Sequence, residues 1–516
     1  MKRITYIFIA VTLLFGAGCT KDFADFNKDP NGLTNLNMPL GGPELRALQL
    51  LVIPQQENSY QMCFDLGLTG YAGYATQFPN FRNDYPVYNP RTSWVNYIYD
   101  DTYPKIYTSF FALSSYAKGD SSQLYYAWGS VLRIAITTWM TDIFGPMPYS
   151  QMKPGQLKVS YDAQDILYKT MCKDLQTAIK SLQAVDPFNR QYKEYDLVYG
   201  GDMTKWMKYA SSLLLRLSVR MAKQLPAEAK EYAEFALQSG VITSNEDNPL
   251  LATSDNPVFK MSATWGNSGI NAEITEYMNT WSDPRRPQYF TAVSSRSAGK
   301  QYFGIRSGNP MVDNYAMADY SRPNLKQESS IIWMTAAEVA FLKAEGALNG
   351  WNVGGTAEEL YKQGVQLSFD QWNAGTAATY LTNTSQRGAL ADEKNPGFNT
   401  AFSSPITVSW EEGGNSKESQ LSKIITQKWI AMFPYGAAEA WAEWRRTGYP
   451  NMLPATVNNS GGAVTTITQL GGRDRGGMQR LPYSTTEVTN NPESIAAAVS
   501  MLGGADKGGT QLWWAK

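Results

Sequence analysis

The chain has 516 residues, a formal net charge of −1 and no histidine. With 43% apolar and only 18% charged residues it is typical of a packed globular protein, and the balanced charge excludes a basic surface for nucleic acid. The absence of histidine excludes Ser-His-Asp and Cys-His nucleophiles and nearly all transition-metal sites. Carboxylate chemistry and binding without chemistry remain, and we predict no metal site and no cofactor.

The N-terminus has the pattern of a secretory signal. Two basic residues precede a short apolar run, and three small residues lead directly into Cys19. The run is shorter than the roughly 20 residues that a membrane-spanning helix needs. This order resembles a bacterial lipoprotein signal and predicts a signal peptide over 1–18, lipidation of Cys19 and a lipidated leader over 19–42. The alternative is an ordinary signal peptide cleaved elsewhere, because Gly16 stands where Leu is more usual.

Helical periodicity dominates from residue 43 onward. Apolar residues spaced three to four positions apart predict helices over 43–68, 94–117, 123–141, 161–182, 204–222, 227–239, 335–348 and 357–372. The last two flank Gly350 and form a helix–turn–helix pair, which resembles the units of tetratricopeptide-like repeats. We therefore predict a mainly α fold, a single domain over 43–516 with a tetratricopeptide-like helical-repeat scaffold.

Two long stretches interrupt the helical pattern, at about 242–330 and 375–420. Both are rich in Gly, Ser, Asn, Thr and Pro, and both are too long to be simple connectors. We predict that they are loop-rich inserts on the helical scaffold, where binding sites usually lie.

Two further cysteines, Cys63 and Cys172, lie in apolar helical patterns. In an oxidising compartment they could form one disulfide, and as buried side chains they could equally remain two thiols. The sequence leaves both alternatives open.

Six motif segments follow one another along the chain. They are DFNKDPN at 25–31, TDIFGPMPY at 141–149, the stretch 196–220 with YGGD and Trp206, AEVAFLKAE at 337–345, QKWI followed by EWRRTGYP at 427–450, and RLPY through Trp514 at 480–514. Together they resemble the SusD/RagB family of outer-membrane nutrient-binding lipoproteins, particularly its SusD-like branch. The resemblance extends over nearly the whole chain.

The resemblance implies both a fold and a role. The fold would be α-helical, with tetratricopeptide-like units that support loop-rich inserts. The role would be that of a lipid-anchored lid on the cell-surface side of the outer membrane, which captures a nutrient and delivers it to a SusC-like TonB-dependent transporter. We expect an oligosaccharide ligand. A peptide is the alternative within the same transport system, because the family also includes peptide-associated members.

The irregular segments supply the candidate ligand contacts. Tyrosine and tryptophan rings, together with phenylalanine, stack on the C–H faces of sugars, and 13% of this chain is aromatic. An exposed platform of such rings, with asparagine and arginine nearby, would bind a sugar or a peptide. Each candidate could instead belong to the core or to the transporter interface, Trp94 above all because it opens a helix. The candidates are Phe81, Tyr85, Tyr88, Trp94, Trp265, Tyr302, Arg306 and Tyr320.

A carboxylate-based glycosidase is a remote alternative from a different class. Glu338 and Glu345 lie seven positions apart, so one helical face could present both carboxylates. Salt bridges to lysine or arginine explain these acids better than catalysis does. We therefore predict that the protein is not an enzyme.

Two other motifs favour architecture over ligand contact. Arg445 and Arg446 lie near a helix end, where they suit the helix dipole and could pair with acids. Trp513 and Trp514 are expected to dock the C-terminal tail onto the body of the protein.

Overall fold

The computed structural model describes residues 39–78, 84–156, 158–296, 301–308, 317–467 and 476–516. Residues 40–516 form one compact unit. The signal peptide, Cys19 and most of the leader lie outside the described residues, as does Phe81. Predictions about them therefore stay predictions.

The described residues are mainly α-helical. The longer helices are α1 (Gly42–Val52), α2 (Thr92–Ala117), α3 (Leu124–Phe144), α4 (Gln164–Gln183), α5 (Met203–Met221), α6 (Pro226–Ser239), α7 (Ala272–Thr280), α8 (Ala336–Leu348), α9 (Ala357–Gln371), α10 (Lys417–Ala431), α11 (Ala437–Thr447) and α12 (Pro492–Leu502). The prediction of a mainly α fold is confirmed.

Neighbouring helices pack in pairs along the chain. From α2 to α6 each helix contacts the next, α8 packs against α9 and α10, and α5 also contacts α8. Side-chain caps define several helix starts: Asp202 accepts the backbone N–H of Lys205 before α5, and Thr356 with Glu359 forms a capping box on α9. This arrangement is the predicted tetratricopeptide-like scaffold.

The helix predicted over 43–68 is wrong as a single element. Helix α1 ends at Val52, Ile53 is extended, and Pro54 follows. Proline lacks a backbone N–H and disfavours helical geometry in the residue before it, so α1 cannot continue. The chain then forms three short helical turns, Glu57–Tyr60, Gln61–Asp65 and Leu68–Tyr71.

The inserts contain more regular structure than their composition predicts. Helix α7 lies within the first insert, and short strands tie that insert to the scaffold. Strand β1 (Ala75–Gln77) pairs antiparallel with β3 (Ser268–Ile270), and β2 (Leu250–Leu251) pairs antiparallel with β4 (Ile331–Ile332). The first of these pairs places the start of α7 beside the turn at Leu68–Tyr71.

A buried group of charged side chains joins five of the helices. This central ion cluster consists of Asp142 (α3), Arg216 and Arg220 (α5), Glu338 and Glu345 (α8), Lys428 (α10), and Glu439, Glu443 and Arg446 (α11). Buried charges are tolerated when they are paired and hydrogen-bonded, and here each cation contacts at least one carboxylate.

The central ion cluster accounts for both acids of the glycosidase alternative. Arg216 donates two hydrogen bonds to Glu338, at 2.8 and 2.9 Å. Arg446 donates two to Glu345, at 2.6 and 2.7 Å. Each acid therefore forms a two-point ion pair within the scaffold, and the prediction of salt bridges is confirmed.

Cys63 and Cys172 are free, buried thiols in the structure. Burial raises the pKa of Cys63 to about 12 and that of Cys172 further above its ordinary value. Since the thiolate is the reactive form, we expect neither to be alkylated at pH 8 in folded protein lacking residues 1–19, and both to be alkylated after unfolding in urea. Mass spectrometry counts the adducts, and a mass lower by two hydrogens before reduction would instead show a disulfide.

Candidate ligand-binding site

The structure buries most of the predicted ligand contacts. Trp94 and Trp265 are partly exposed, and the buried candidates are Tyr85, Tyr88, Tyr302, Arg306 and Tyr320. The prediction that these buried residues form an exposed platform is therefore corrected. Their rings and guanidinium belong to the packed interior of the protein.

Tyr320 and Arg306 hold the inserts together. The Tyr320 hydroxyl donates to Asp392 at 2.8 Å, and Arg296 donates to the same carboxylate at 2.7 Å. Arg306 donates to the carbonyl oxygens of Phe398 and Pro454, at 2.9 and 2.8 Å. Such buried polar groups, paired across distant segments, fix loops in place.

A row of aromatic rings leads from the surface toward the interior. Trp94, in the first turn of α2, stacks on Tyr85 with ring centroids 6.4 Å apart. Tyr85 lies 6.2 Å from Tyr71, and Tyr71 lies 5.1 Å from Trp441 of α11. At the outer end, the Arg91 guanidinium lies 4.5 Å from the centre of the Trp94 ring. The row places a partly exposed tryptophan at one end and a cavity at the other.

That cavity has a volume of about 50 Å³, and we name it the Glu273 pocket. Gly73, which also lines it, has a φ of 71°, and a side-chain Cβ there would lie only 3.0 Å from the Cβ of Glu273. Glycine thus permits the close approach of α7. The side chains that line the pocket include Tyr71, Tyr88, Asn271, Glu273, Trp441 and Trp444.

Two buried polar atoms in the pocket lining have no hydrogen-bond partner. Asn271 caps α7 by accepting the backbone N–H of Glu273 at 3.0 Å, which leaves its Nδ2 donor unpaired among the described residues. Glu273 accepts the backbone N–H of Leu453 with Oε1, and its Oε2 likewise has no partner. The two residues are only 1% and 5% exposed. Unpaired buried polar groups are uncommon in native proteins and point to a bound molecule or water.

The surroundings of Glu273 disfavour its charged form. Burial raises the pKa of Glu273 to about 7, although Arg387, the Leu453 N–H and Arg306 each act to lower it. The carboxyl group is therefore divided between its two protonation states near neutral pH.

A protein-family model matches nearly the whole chain. The model is described as SusD-like, for SusD and RagB outer-membrane lipoproteins, and it matches residues 25–515. The chain belongs to the SusD-like family. The resemblance inferred from the motifs is thereby confirmed.

Solved structures are similar to the SusD-like chain over nearly its full length. A SusD homologue from Bacteroides thetaiotaomicron is 35% identical with a TM-score of 0.84, and the match covers 92% of this chain and 99% of that one. A chitin-binding SusD homologue from Flavobacterium johnsoniae is 33% identical with a TM-score of 0.82, covering 92% and 98%. A SusD homologue from Bacteroides uniformis is 35% identical with a TM-score of 0.82, covering 92% and 99%. A comparison with curated proteins gave no match.

Membership places the SusD-like protein among outer-membrane lipoproteins that bind nutrients, in a family of binding proteins. Within the described residues, no helix combines the length and apolar character needed to cross a membrane. The same residues contain no group of three or more His, Cys, Asp or Glu side chains able to hold a metal ion.

Sequence reasoning missed Asn271 and Glu273. The pattern Asn-Ala-Glu is a recognisable helix start, with an N-cap residue followed by an acid in the first turn. That signal predicts α7 but not the pocket, because Leu453 and Trp441 approach these residues only in the folded protein.

Replacing Glu273 by Gln should stabilise the SusD-like protein at pH 8 but not at pH 4.5. Because the folded-state pKa of about 7 lies above the ordinary 4.5, the wild type loses stability as the pH rises between these values. Above about pH 7 this loss of stability is complete and stays constant. The shift corresponds to an upper limit of about 3 kcal/mol. Glutamine resembles the protonated acid and avoids this cost. Urea unfolding at the two pH values measures it, and an equal effect at both would contradict the role of the carboxyl charge.

Proposed function

We propose that the SusD-like protein captures an oligosaccharide at the cell-surface side of the outer membrane and delivers it to a SusC-like TonB-dependent transporter. The observation that carries the ligand class is the row of rings from Trp94 to the Glu273 pocket. The partly exposed Trp94 offers a ring face that can stack on sugar C–H groups, and the row behind it leads to a pocket with an unpaired donor and an unpaired acceptor. The relative named as chitin-binding supports the same choice.

The proposed contacts differ from those predicted by composition. Trp94 stays a candidate because it is partly exposed and begins the row, and Tyr88 stays one because it lines the pocket. Trp265 is partly exposed and is a separate candidate.

Cys19 is proposed as the lipid anchor. Cys19→Ala is expected to move the protein from the outer-membrane fraction to the soluble fraction.

A binding screen tests the ligand class directly. Protein lacking residues 1–19, which retains the compact unit 40–516, is titrated with oligosaccharides and with peptides by calorimetry. We expect at least one oligosaccharide to bind without turnover, and Trp94→Ala to weaken it about tenfold, the effect of one lost stacking contact of about 1.4 kcal/mol. Phe188→Ala, which removes an exposed aromatic ring outside the row and outside the candidate contacts, is the control and should leave the affinity unchanged.

The outcomes separate the alternatives. Binding of peptides alone would establish the peptide alternative, and hydrolysis of a bound glycan would establish the glycosidase. The ion pairs of Glu338 and Glu345 disfavour hydrolysis, because neither acid is available as a catalytic carboxylate.

Delivery to a transporter is tested by purifying the full chain from outer membranes and identifying the proteins that co-purify with it. A TonB-dependent barrel should accompany it.

A further inference from the structure

We infer that the Glu273 pocket receives a single neutral, hydroxyl-bearing end group of the captured glycan, and neither an ammonium nor a carboxylate group. The inference rests on the proposed function and specifies which chemical group of the ligand enters the protein. It is carried by the two unpaired atoms, the local charges and the size of the cavity.

The unpaired atoms select a group that both donates and accepts. Asn271 Nδ2 can only donate, and the ionised Glu273 Oε2 can only accept. An ammonium group would leave Asn271 without an acceptor, and a carboxylate would face the carboxylate of Glu273. A hydroxyl group satisfies both atoms, and it can accept a hydrogen bond from Glu273 when that acid is protonated.

The neighbouring charges also disfavour a cation. Arg387 and Arg306 lie close enough to Glu273 to stabilise its ionised form. Arg306 is itself bound to backbone carbonyls beside the pocket, including that of Pro454. An ammonium group in the pocket would therefore be attracted by Glu273, the one carboxylate among the described lining residues, and repelled by the two guanidinium groups that act on that carboxylate from outside the lining.

The size of the pocket admits a substituent but not a ring. A volume of about 50 Å³ is roughly three to five times the 10–15 Å³ that a cavity needs to hold one water, so it has room for only a few non-hydrogen atoms. Tyr71, Pro86, Ser307 and Ala455 line the pocket and are partly exposed, so the cavity reaches solvent. A hydroxymethyl group or one edge of a diol can enter while its sugar ring stays outside.

Probes of equal size but different charge test the chemistry. Crystals of the protein lacking residues 1–19 are soaked at one concentration in ethylene glycol, ethylammonium chloride or sodium acetate. We expect ethylene glycol in the pocket, with an oxygen in hydrogen-bond distance of both unpaired atoms. Ethylammonium or acetate as the preferred occupant would overturn the inference, and so would water alone with all three probes.

Two substitutions should change which of the three probes the pocket prefers. Glu273→Gln turns the acceptor into a donor while its Oε1 can still accept from Leu453, so acetate should gain occupancy at least fivefold relative to ethylene glycol. Asn271→Asp keeps the helix cap but turns the donor into an acceptor, so ethylammonium should gain instead. Glu276→Gln, on the same helix but outside the pocket lining, should keep the wild-type preference.

Glycan titrations separate this inference from the proposed function. We expect the oligosaccharide that binds the wild type to bind Glu273→Gln and Asn271→Asp at least tenfold more weakly, and Glu276→Gln unchanged. Equal affinity for all four proteins would refute the pocket and leave the proposed function intact. Failure of every glycan to bind the wild type would refute the proposed function itself.

Discussion

Replacing Glu443 by Gln is expected to lower the free energy of unfolding by about 3–5 kcal/mol, the usual cost of breaking a buried ion pair by removing one partner. Glu443 is 2% exposed and contacts three cations of the central ion cluster. Arg446 lies 2.7 Å away, Lys428 3.3 Å and Arg220 3.4 Å. The neutral amide leaves these buried cations with less compensating charge.

An exposed ion pair provides the matched control. Glu358 pairs with Lys362 one helical turn away on α9, and both side chains are substantially exposed to solvent. Such surface pairs contribute about 0.3–0.5 kcal/mol, so Glu358→Gln should change stability by no more than that. Urea unfolding at pH 7 measures both variants. A similar small loss for both would show that the central ion cluster contributes little to stability.

The effect of Glu443→Gln should shrink in acid. Burial acts to raise the pKa of Glu443, but Arg446, Lys428 and Arg220 together hold it well below its usual range. A depressed folded-state pKa contributes stability that is present above the unfolded-state value of about 4.5 and lost as the pH falls below it. The advantage of the wild type over the variant should therefore begin to decrease near pH 5 and should be smaller at pH 3 than at pH 7. A constant difference across this range would contradict the ion-pair mechanism.

The helices could be predicted from sequence because their apolar spacing is local. Helix α5, for example, was predicted over 204–222 and spans Met203–Met221. The break after Val52 was missed because apolar residues at helical spacing recur beyond Pro54, from Tyr60 to Leu68, after the polar stretch 55–59. The pattern records side-chain hydrophobicity, whereas the break is caused by the backbone.

The ligand contacts could not be predicted because the inserts fold a core of their own. Loops usually lie at the surface, which favoured Tyr320 as an exposed residue. In the structure Tyr320 packs in a small cluster with Phe78, Ile305 and Phe398, which come from distant parts of the chain. Its hydroxyl partner Asp392 lies 72 positions away. Composition cannot distinguish an aromatic residue in such a cluster from one on an open platform.

The C-terminal tail contains two adjacent tryptophans that differ in burial and in contacts. Trp514 is 0% exposed, and the guanidinium carbons of Arg220 and Arg445 each lie 5.0 Å from its ring centre. Trp513 is only partly buried, 6.0 Å from the ring of Tyr168. The predicted docking of the tail is therefore centred on Trp514, which covers one side of the central ion cluster.

Trp514→Ala is expected to lower the free energy of unfolding by about 3–5 kcal/mol, as for a fully buried aromatic side chain that leaves a cavity. The loss includes two cation–π contacts and opens the buried Arg220 to water, which weakens its ion pairs. Trp513→Ala removes the same side chain one position earlier and should cost about 1–1.5 kcal/mol, since that residue is less completely buried than Trp514. Urea unfolding of the two variants under identical conditions measures the difference. Equal losses would mean that the tail is held by its total apolar area, and that the contact of Trp514 with the two arginines adds nothing.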